Sequence, residues 1–494
     1  MSRRGSIGLQ CRESTSWFYD IAKVRRHSQT ALVKERKAST DGATARCAPP
    51  DSCNLESVFS SDGFQQIGLW MWIMKCAHRP CAHTVLAAVV LLSVSAPLLA
   101  QTERVKLELV GAFNTGTDVR AVSVSDDYAY VGDYAYVGES GEIHGRLHVL
   151  DVRDPTLPQE IGCSDPISDA SAVAVSGGYV YVAGDAGGCG QHGLVILDIT
   201  DPTHPRKVGE SGTGGAAFSV TVSGDYAYLT SDCFDCGKSR GGLEVFNVVD
   251  PANPEGVGGY GELCPPSSGT VSGKYFYMTA QHWDNGCRDV LTVIDVSKPA
   301  EPQCVGWYDT ELPAQWVAVS DNYAYVAVGS VDLHGWLAVF DISEPLNARL
   351  VTRVGIGGVP IKVVVRDSFA YVLDTHRSLV VLDIKDPTKP FKAGECAVAG
   401  SVHGLALSAD YAYVAAGEAG LQIFRLVELP AITRHTIANG ELHLQWNEPA
   451  KGMRLQRATS LTQPHWQDLM GSELTNNVSM PMWSGPEFFR LVRP

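Results

Sequence analysis

The sequence predicts an all-β chain: a seven-bladed β-propeller closed by an N-terminal outer strand, followed by a small β-sandwich-like C-terminal domain. Three observations carry this. The stretch GLVILDITDPTHPRKVG, Gly193 to Gly209, has relatives throughout the chain; they return at a near-constant interval; and the strand missing from the last copy is found ahead of the first.

Aligned on one aspartate, the copies are LHVLDVRDP, LVILDITDP, LEVFNVVDP, LTVIDVSKP, LAVFDISEP, LVVLDIKDP and a degenerate LQIFRLVELP. Their anchors are Asp151, Asp198, Asn247, Asp295, Asp341, Asp383 and Arg425, 42 to 49 residues apart. A period of about 40 to 50 residues is that of a stacked repeat, and one holding four strands is a propeller blade. Upstream of each anchor lies a pair such as SAVAVSGGYVYVAGD, Ser171 to Asp185, whose short joint (Ser176-Gly177-Gly178, Ser223-Gly224-Asp225, Ser320-Asp321-Asn322, Ser408-Ala409-Asp410) tolerates positive φ and reads as a hairpin of strands a and b. The LVILDI run is strand c. It lacks polar alternation, so both of its faces must be covered, as they are between neighbouring blades. The anchor Asp can accept a hydrogen bond from the backbone two residues on, and the following Pro fixes φ for the turn into outer strand d, RKVG or QEIG. An open solenoid of hairpins is the rival arrangement, but seven such units suit a closed ring.

Closure is legible. The seventh unit stops after strand c, at Arg425 to Pro430, while VKLELVG, Val105 to Gly111, resembles a strand d and precedes the first strand a. It is expected beside Leu421 to Leu426, removing the open edges of the ring. In the first unit the hexapeptide DYAYVG occurs twice, at Asp127 to Gly132 and Asp133 to Gly138, and implies an extra turn of hairpin or a long bulge.

The expected organisation is a non-structured upstream extension at 1–73, a signal peptide at 74–100, the propeller at 101–430 and a C-terminal β-module at 431–494. From Met74 the chain reads as a secretory signal: Lys75 and Arg79 are the basic region, Val85 to Ala100 the apolar core, and Ser93, Ser95 and Pro97 interrupt it too much for a comfortable membrane span. Residues 1–73 then read as an upstream start wrongly chosen for the reading frame, or as a cytosolic tail before an anchor helix. The mature chain is expected to be secreted, periplasmic or at the cell surface, with no transmembrane span, and monomeric. Residues 1–100 hold 12 Lys+Arg and 7 Asp+Glu, which leaves 27 basic and 47 acidic residues and a net charge of −20 in the rest. Such a surface repels phosphates and argues against a nucleic-acid partner.

Eight cysteines remain after residue 100, an even number that suits disulfides in an exported chain. Connections b–c and d–a emerge on one face of a propeller. The favoured pairs are therefore Cys163 with Cys189, Cys264 with Cys287, and Cys233 with Cys236; a zinc site at Cys233 and Cys236 is the alternative, though no second CxxC accompanies it.

The consensus GLVILDITDPTHPRKVG, with VSGDYAYL at Val222 to Leu229, resembles the LVIVD repeat, a family of secreted or surface-associated bacterial and archaeal propellers. The resemblance covers about 105 to 430 and departs from pattern in the fourth unit, where Lys298 replaces Asp, and in the seventh. It ties the chain to no one reaction and carries over no catalytic residues. The C-terminal ELHLQW, MRLQRATSLTQPHWQDL and FFRLVRP are similar to small C-terminal β-modules of secreted planctomycete and verrucomicrobial proteins, which implies surface retention or secretion, or a passive stabilising cap.

For chemistry, His144, His192, His334 and His376 stand six or seven residues before an anchor Asp, on one rim, where converging imidazoles could hold a transition metal or simply occupy turns. Near the start of strand a, at the channel mouth, fall Arg120, Asp169, Trp316, Lys362 and His403. A channel mouth is where propellers commonly bind ligands. Gly237-Lys238-Ser239 is not a phosphate loop, because Asp232 stands where the first glycine is required, and neither HExxH nor GxSxG occurs. No cofactor is expected. The favoured function is a non-catalytic extracellular scaffold that binds protein or glycan through this rim; the alternative is a metal- or quinone-dependent oxidoreductase with its site at the channel mouth.

Overall fold

In the first six repeats the anchor side chain folds back on its own turn. Asp151, Asp198, Asn247, Asp295, Asp341 and Asp383 each accept, through Oδ1, the backbone N–H two residues on, at 2.9 to 3.0 Å. The next Asp does the same one turn later: Asp154, Asp201, Asp250 and Asp386 accept from residues 156, 203, 252 and 388. These local bonds reverse the chain between strands c and d and fix where every blade ends.

The structure, a computed structural model, describes residues 104–134, 136–137, 142–143, 145–167, 169–184, 193–213, 215–232, 241–282, 288–330, 335–429, 432–438, 441–446, 454–458, 467–469, 477–481 and 488–492. The segment read as a signal peptide lies outside them. Strands a to d of blade 1 are Asp118–Ser125, Tyr128–Tyr134, Leu147–Asp151 and Gln159–Cys163. Those of blade 2 are Ala172–Ser176, Tyr179–Ala183, Leu194–Asp198 and Arg206–Ser211. Blade 3 opens with Ala217–Ser223, Tyr226–Ser231 and Gly241–Asn247, and its outer strand lies in the long Glu255–Ser272, whose far end is the inner strand of blade 4. Tyr275–His282, Arg288–Asp295 and Gln303–Asp309 complete blade 4. Blade 5 is Ala314–Ser320, Tyr323–Val328, Trp336–Asp341 and Arg349–Gly355; blade 6 is Pro360–Arg366, Phe369–Asp374, Ser378–Asp383 and Phe391–Ala397. Blade 7 takes Gly404–Leu407, Tyr411–Ala415 and Leu421–Glu428 from the end of the ring and Val105–Phe113 from its start.

The closure expected from the sequence is therefore present. Val105 pairs with Glu428, Leu109 with Phe424, Gly111 with Ile423 and Phe113 with Leu421, all antiparallel. Arg104 adds an ion pair to Asp383, the blade 6 anchor, at 2.5 Å, and Arg425, where an anchor Asp is missing, pairs with Glu108.

Two-residue a–b hairpins follow the expected chemistry. Asp126, Gly177, Gly224, Gly273, Asp321 and Asp367 all take positive φ at the first turn position, where glycine and aspartate are tolerated. The unpatterned apolar run of strand c is explained by burial on both sides: Leu194 and Ile196 join a cluster with Ala217, Leu229 and Phe246 of blade 3, while Val195 and Leu197 join Tyr130, Leu147 and Val149 of blade 1. Seven such interblade clusters circle the ring. In blade 1 the second DYAYVG copy forms an extra hairpin, Tyr136 and Val137 pairing with Ile143 and Glu142.

Cys264, expected in a d–a connection, has its backbone in the continuous strand joining blades 3 and 4, paired with Gln281. Cys163 ends strand d of blade 1 and carries a free thiol. Cys189, Cys233, Cys236 and Cys287 lie outside the described residues. In the C-terminal region, Ile432–Ala438, Glu441–Trp446 and Asn477–Pro481 form one sheet, and Arg454–Ala458, Gln467–Asp468 and Phe488–Val492 another. Leu442, Leu444, Trp446 and Met480 of the first share a core with Leu455 of the second. No helix among the described residues is long and apolar enough to cross a membrane.

Strand d of most blades carries a glycine facing the next blade. A Cβ on Gly162, Gly209 or Gly258 would stand 2.4, 2.1 and 2.4 Å from the carbonyl oxygens of Pro202, Pro251 and Pro299. Gly209→Val is expected to destabilise the protein by about 1–3 kcal/mol, as overpacking does, whereas Thr352→Gly, at the one strand d that lacks this glycine, should change little; thermal denaturation of the two variants separates them. Removing residues 1–113 leaves Leu421–Glu428 as an open edge, and size-exclusion chromatography should show aggregated rather than discrete protein.

Candidate functional site

Each inner strand starts at the channel mouth, and several start on a bulge. The a–b register slips between Val119 and Ala121, Ala217 and Ser219, Ala314 and Trp316, and Pro360 and Lys362. Arg120, Phe218, Gln315 and Ile361 are the extra residues, and such bulges re-aim side chains. The next position along the strand is small and buried in most blades. Ser219 Oγ accepts the Gly269 N–H at 3.2 Å and Ser268 Oγ the Val317 N–H at 3.0 Å, which knits blades 3, 4 and 5 together. In blades 5 and 6 this position holds Trp316 and Lys362 instead.

The five residues singled out at the mouth form two adjoining groups. Arg120 reaches Asp118 through Nε at 3.1 Å and Asp169, of blade 2, through Nη1 at 3.4 Å, and its guanidinium lies 3.7 Å from the centre of the Tyr134 ring. Asp169 also accepts from Ser171 Oγ at 3.3 Å. His403 Nε2 stands 3.8 Å from Asp118 Oδ1. Lys362 Nζ lies 4.1 Å from the centre of the Trp316 ring. A paired backbone contact between Val119 and Gly417 holds blades 7 and 1 beside Asp118.

The electrostatics follow from crowding and sign. Burial pushes the Lys362 ammonium down to about 8, and among the described residues no carboxylate forms a salt bridge with it. His403 is also lowered: burial comes first, the pull of Asp118 opposes it, and the like charges of Arg120 and Lys362 add smaller pushes in the direction of burial. The imidazole is thus kept neutral beside two cations, an arrangement that opposes a metal ion there. What remains is one unmatched ammonium next to a neutral ring that can donate a hydrogen bond, suited to an incoming carboxylate or sulfate.

His376 is exposed on the blade 6 b–c turn, its N–H bound to Asp374 Oδ1 at 2.9 Å; it is held by its own turn. His144, His192 and His334 lie outside the described residues. Sequence reasoning missed Asp118 and Tyr134. Asp118 was findable, since residues i and i+2 of a strand share a face; Tyr134 was hidden in the duplicated hexapeptide.

A family model for the LVIVD repeat matches residues 116–165, 168–213, 214–234, 268–310, 313–355, 357–398 and 399–424, together more than half of the chain. No curated protein matches. Among solved structures, the computationally designed Ika8 protein is similar over 65% of this chain and 100% of its own, with 11% identity and a TM-score of 0.44. The WD40 β-propeller domain of Doa1 is similar over 65% of this chain and 96% of its own, with 11% identity and a TM-score of 0.45.

The Lys362 amine should titrate about two units below the other lysines, near 8. NMR of reductively methylated protein, with Lys362→Arg to assign the signal, measures it; a midpoint above 10 would show that the amine is fully hydrated.

Proposed function

We propose, from the premise that this chain belongs to the LVIVD repeat family, that it is an exported, non-catalytic scaffold binding a protein or glycan at the cell surface. The channel mouth is the contact point, and the recognised group is anionic. One observation carries the reading: Arg120 is matched by Asp118 and Asp169, whereas Lys362, brought to the same rim, meets an aromatic face and forms no salt bridge among the described residues.

The aromatic faces narrow the ligand further. Stacking against a sugar needs an open ring, and here Lys362 covers Trp316 and Arg120 covers Tyr134. An acidic side chain or an acidic sugar approaching the ammonium fits better than a neutral glycan laid on a platform. The surface as a whole carries net negative charge, so the site acts as a local exception, giving selectivity through position rather than long-range attraction.

Binding to arrays of acidic and neutral peptides and glycans tests this. A bound ligand should carry a carboxylate or sulfate, and Lys362→Met should weaken it about 10- to 100-fold, the worth of one charge-assisted hydrogen bond. Ligands held equally well by both proteins would place recognition elsewhere. Export has its own readout: protein isolated from producing cells should begin at Gln101, and a retained residue 1–73 segment would overturn it.

A further inference from the structure

Strand c of the other blades carries Val195, Glu244, Thr292, Ala338, Val380 or Gln422 at the position that blade 1 gives to His148. His148 is buried and held at both nitrogens: Nε2 lies 3.0 Å from Asp133 Oδ2 and Nδ1 lies 2.7 Å from Glu160 Oε1. Asp133 is itself fixed, by the Thr117 hydroxyl and by the Arg146 N–H at 2.6 Å. Beside Glu160, across the strand d bulge, is the free thiol of Cys163. The ligand atoms of His148, Glu160 and Cys163 all lie within 4.8 Å of one another.

The repeat supplies an internal control. In blades 2 and 6 the positions of Glu160 and Cys163 are occupied by Lys207 with Glu210 and by Lys392 with Glu395, each an ion pair on the blade surface, and the strand c position is Val195 or Val380. Blade 1 replaces an ion pair and an aliphatic side chain by imidazole, carboxylate and thiol. Asp133, a buried carboxylate, stands on the far side of the imidazole; blade 6 has the buried Asp374 at the same register position but an aliphatic Val380 in place of the imidazole. A carboxylate holding one ring nitrogen, so that the other faces outward, is the arrangement that orients metal-binding histidines.

We propose that blade 1 binds a zinc ion, or a chemically similar divalent transition metal, through His148 Nδ1, Glu160 and Cys163, with water as the fourth ligand and Asp133 as positioning residue. The mixed N, O and S set suits tetrahedral zinc. Binding displaces the proton shared between His148 and Glu160 and the thiol proton of Cys163, so two protons leave as one ion enters. Arg146, exposed and 3.9 Å from the sulfur, is free to turn outward from the ion. The site sits on the outer side of one blade and does not depend on what the channel mouth binds.

The full chain, purified and reduced, should take up one cobalt(II) ion with a thiolate-to-cobalt absorption band, and zinc should abolish the band. Cys163→Ser and His148→Val, the latter restoring the residue type of blades 2 and 6, should each remove the band; Cys163→Ser should keep the wild-type melting curve without metal, whereas His148→Val leaves the buried Asp133 without its imidazole and should melt lower. Asp133→Asn should keep the band and weaken affinity about 10- to 100-fold. Failure of the reduced protein to bind cobalt, a band that survives Cys163→Ser, or recovery of Cys163 from producing cells in a disulfide would each overturn the assignment.

Discussion

The ring depends on a contact that involves no side chain on one partner. The outer strand of every blade but the fifth slips register one residue before a glycine, as between Val149 and Leu150 opposite Ile161, or Ile196 and Leu197 opposite Val208. The bulge turns Ile161 and Val208 into the interblade clusters and leaves the glycine against the proline carbonyl that begins the next blade's turn. A Cβ on Gly162, Gly209 or Gly258 would push two wedges apart, and because the ring must close, an angular error in one blade is imposed on all the others. The anchor Asp and the following Pro are therefore interblade features as much as local ones: they fix the carbonyl that the neighbouring glycine receives. Blade 4 keeps the contact by another route, the Tyr308 hydroxyl bonding the Pro345 carbonyl at 2.9 Å.

The seam obeys the same rule with different atoms. Blade 7 has no c–d turn, since its strand d arrives from the start of the ring, and so it has no proline carbonyl to offer Gly394. The Val105 carbonyl takes that place, 2.1 Å from the position of a Cβ on Gly394. Arg104 then binds Asp383 and donates its N–H to the Ala393 carbonyl at 2.7 Å. The N-terminal strand thus supplies a sheet edge, an interblade spacer and an ion pair together, and this explains why a strand so distant in sequence can be placed securely.

Most of this architecture was legible because it is periodic. Repetition averages out local ambiguity: a lone LVILD could be a strand or a buried helix segment, but seven copies at near-constant spacing, each with a short hairpin before it and a proline after it, leave one geometry. The starts of the inner strands were legible for the same reason, since they could be counted: Arg120, Trp316 and Lys362 lie at such starts, and Asp169 and His403 just before them. What escaped was aperiodic. Asp118 and Tyr134 matter through pairings across blades and through an insertion, and the run of Glu255–Ser272 through two blades as one strand hid the structural setting of Cys264.

In a ring of near-equivalent units, chemistry has to come from departures, and blade 1 departs most. Its duplicated hexapeptide repeats Asp127 and Tyr128, which serve the a–b hairpin, as Asp133 and Tyr134, which do not. Asp133 is 2% exposed and meets His148 on one side and Thr117 on the other, while Tyr134, next in the chain, faces Arg120. Alternate residues of a strand point to opposite faces, so the neighbouring Asp133 and Tyr134 serve different partners, His148 and Arg120. Slippage in a repeat usually threatens register; here the extra residues leave the ladder as a separate hairpin, Tyr136 and Val137 against Ile143 and Glu142, and the blade keeps its four strands. The scaffold tolerates the insertion because its stability resides in glycine-to-carbonyl and interblade apolar contacts that the b–c connection does not touch.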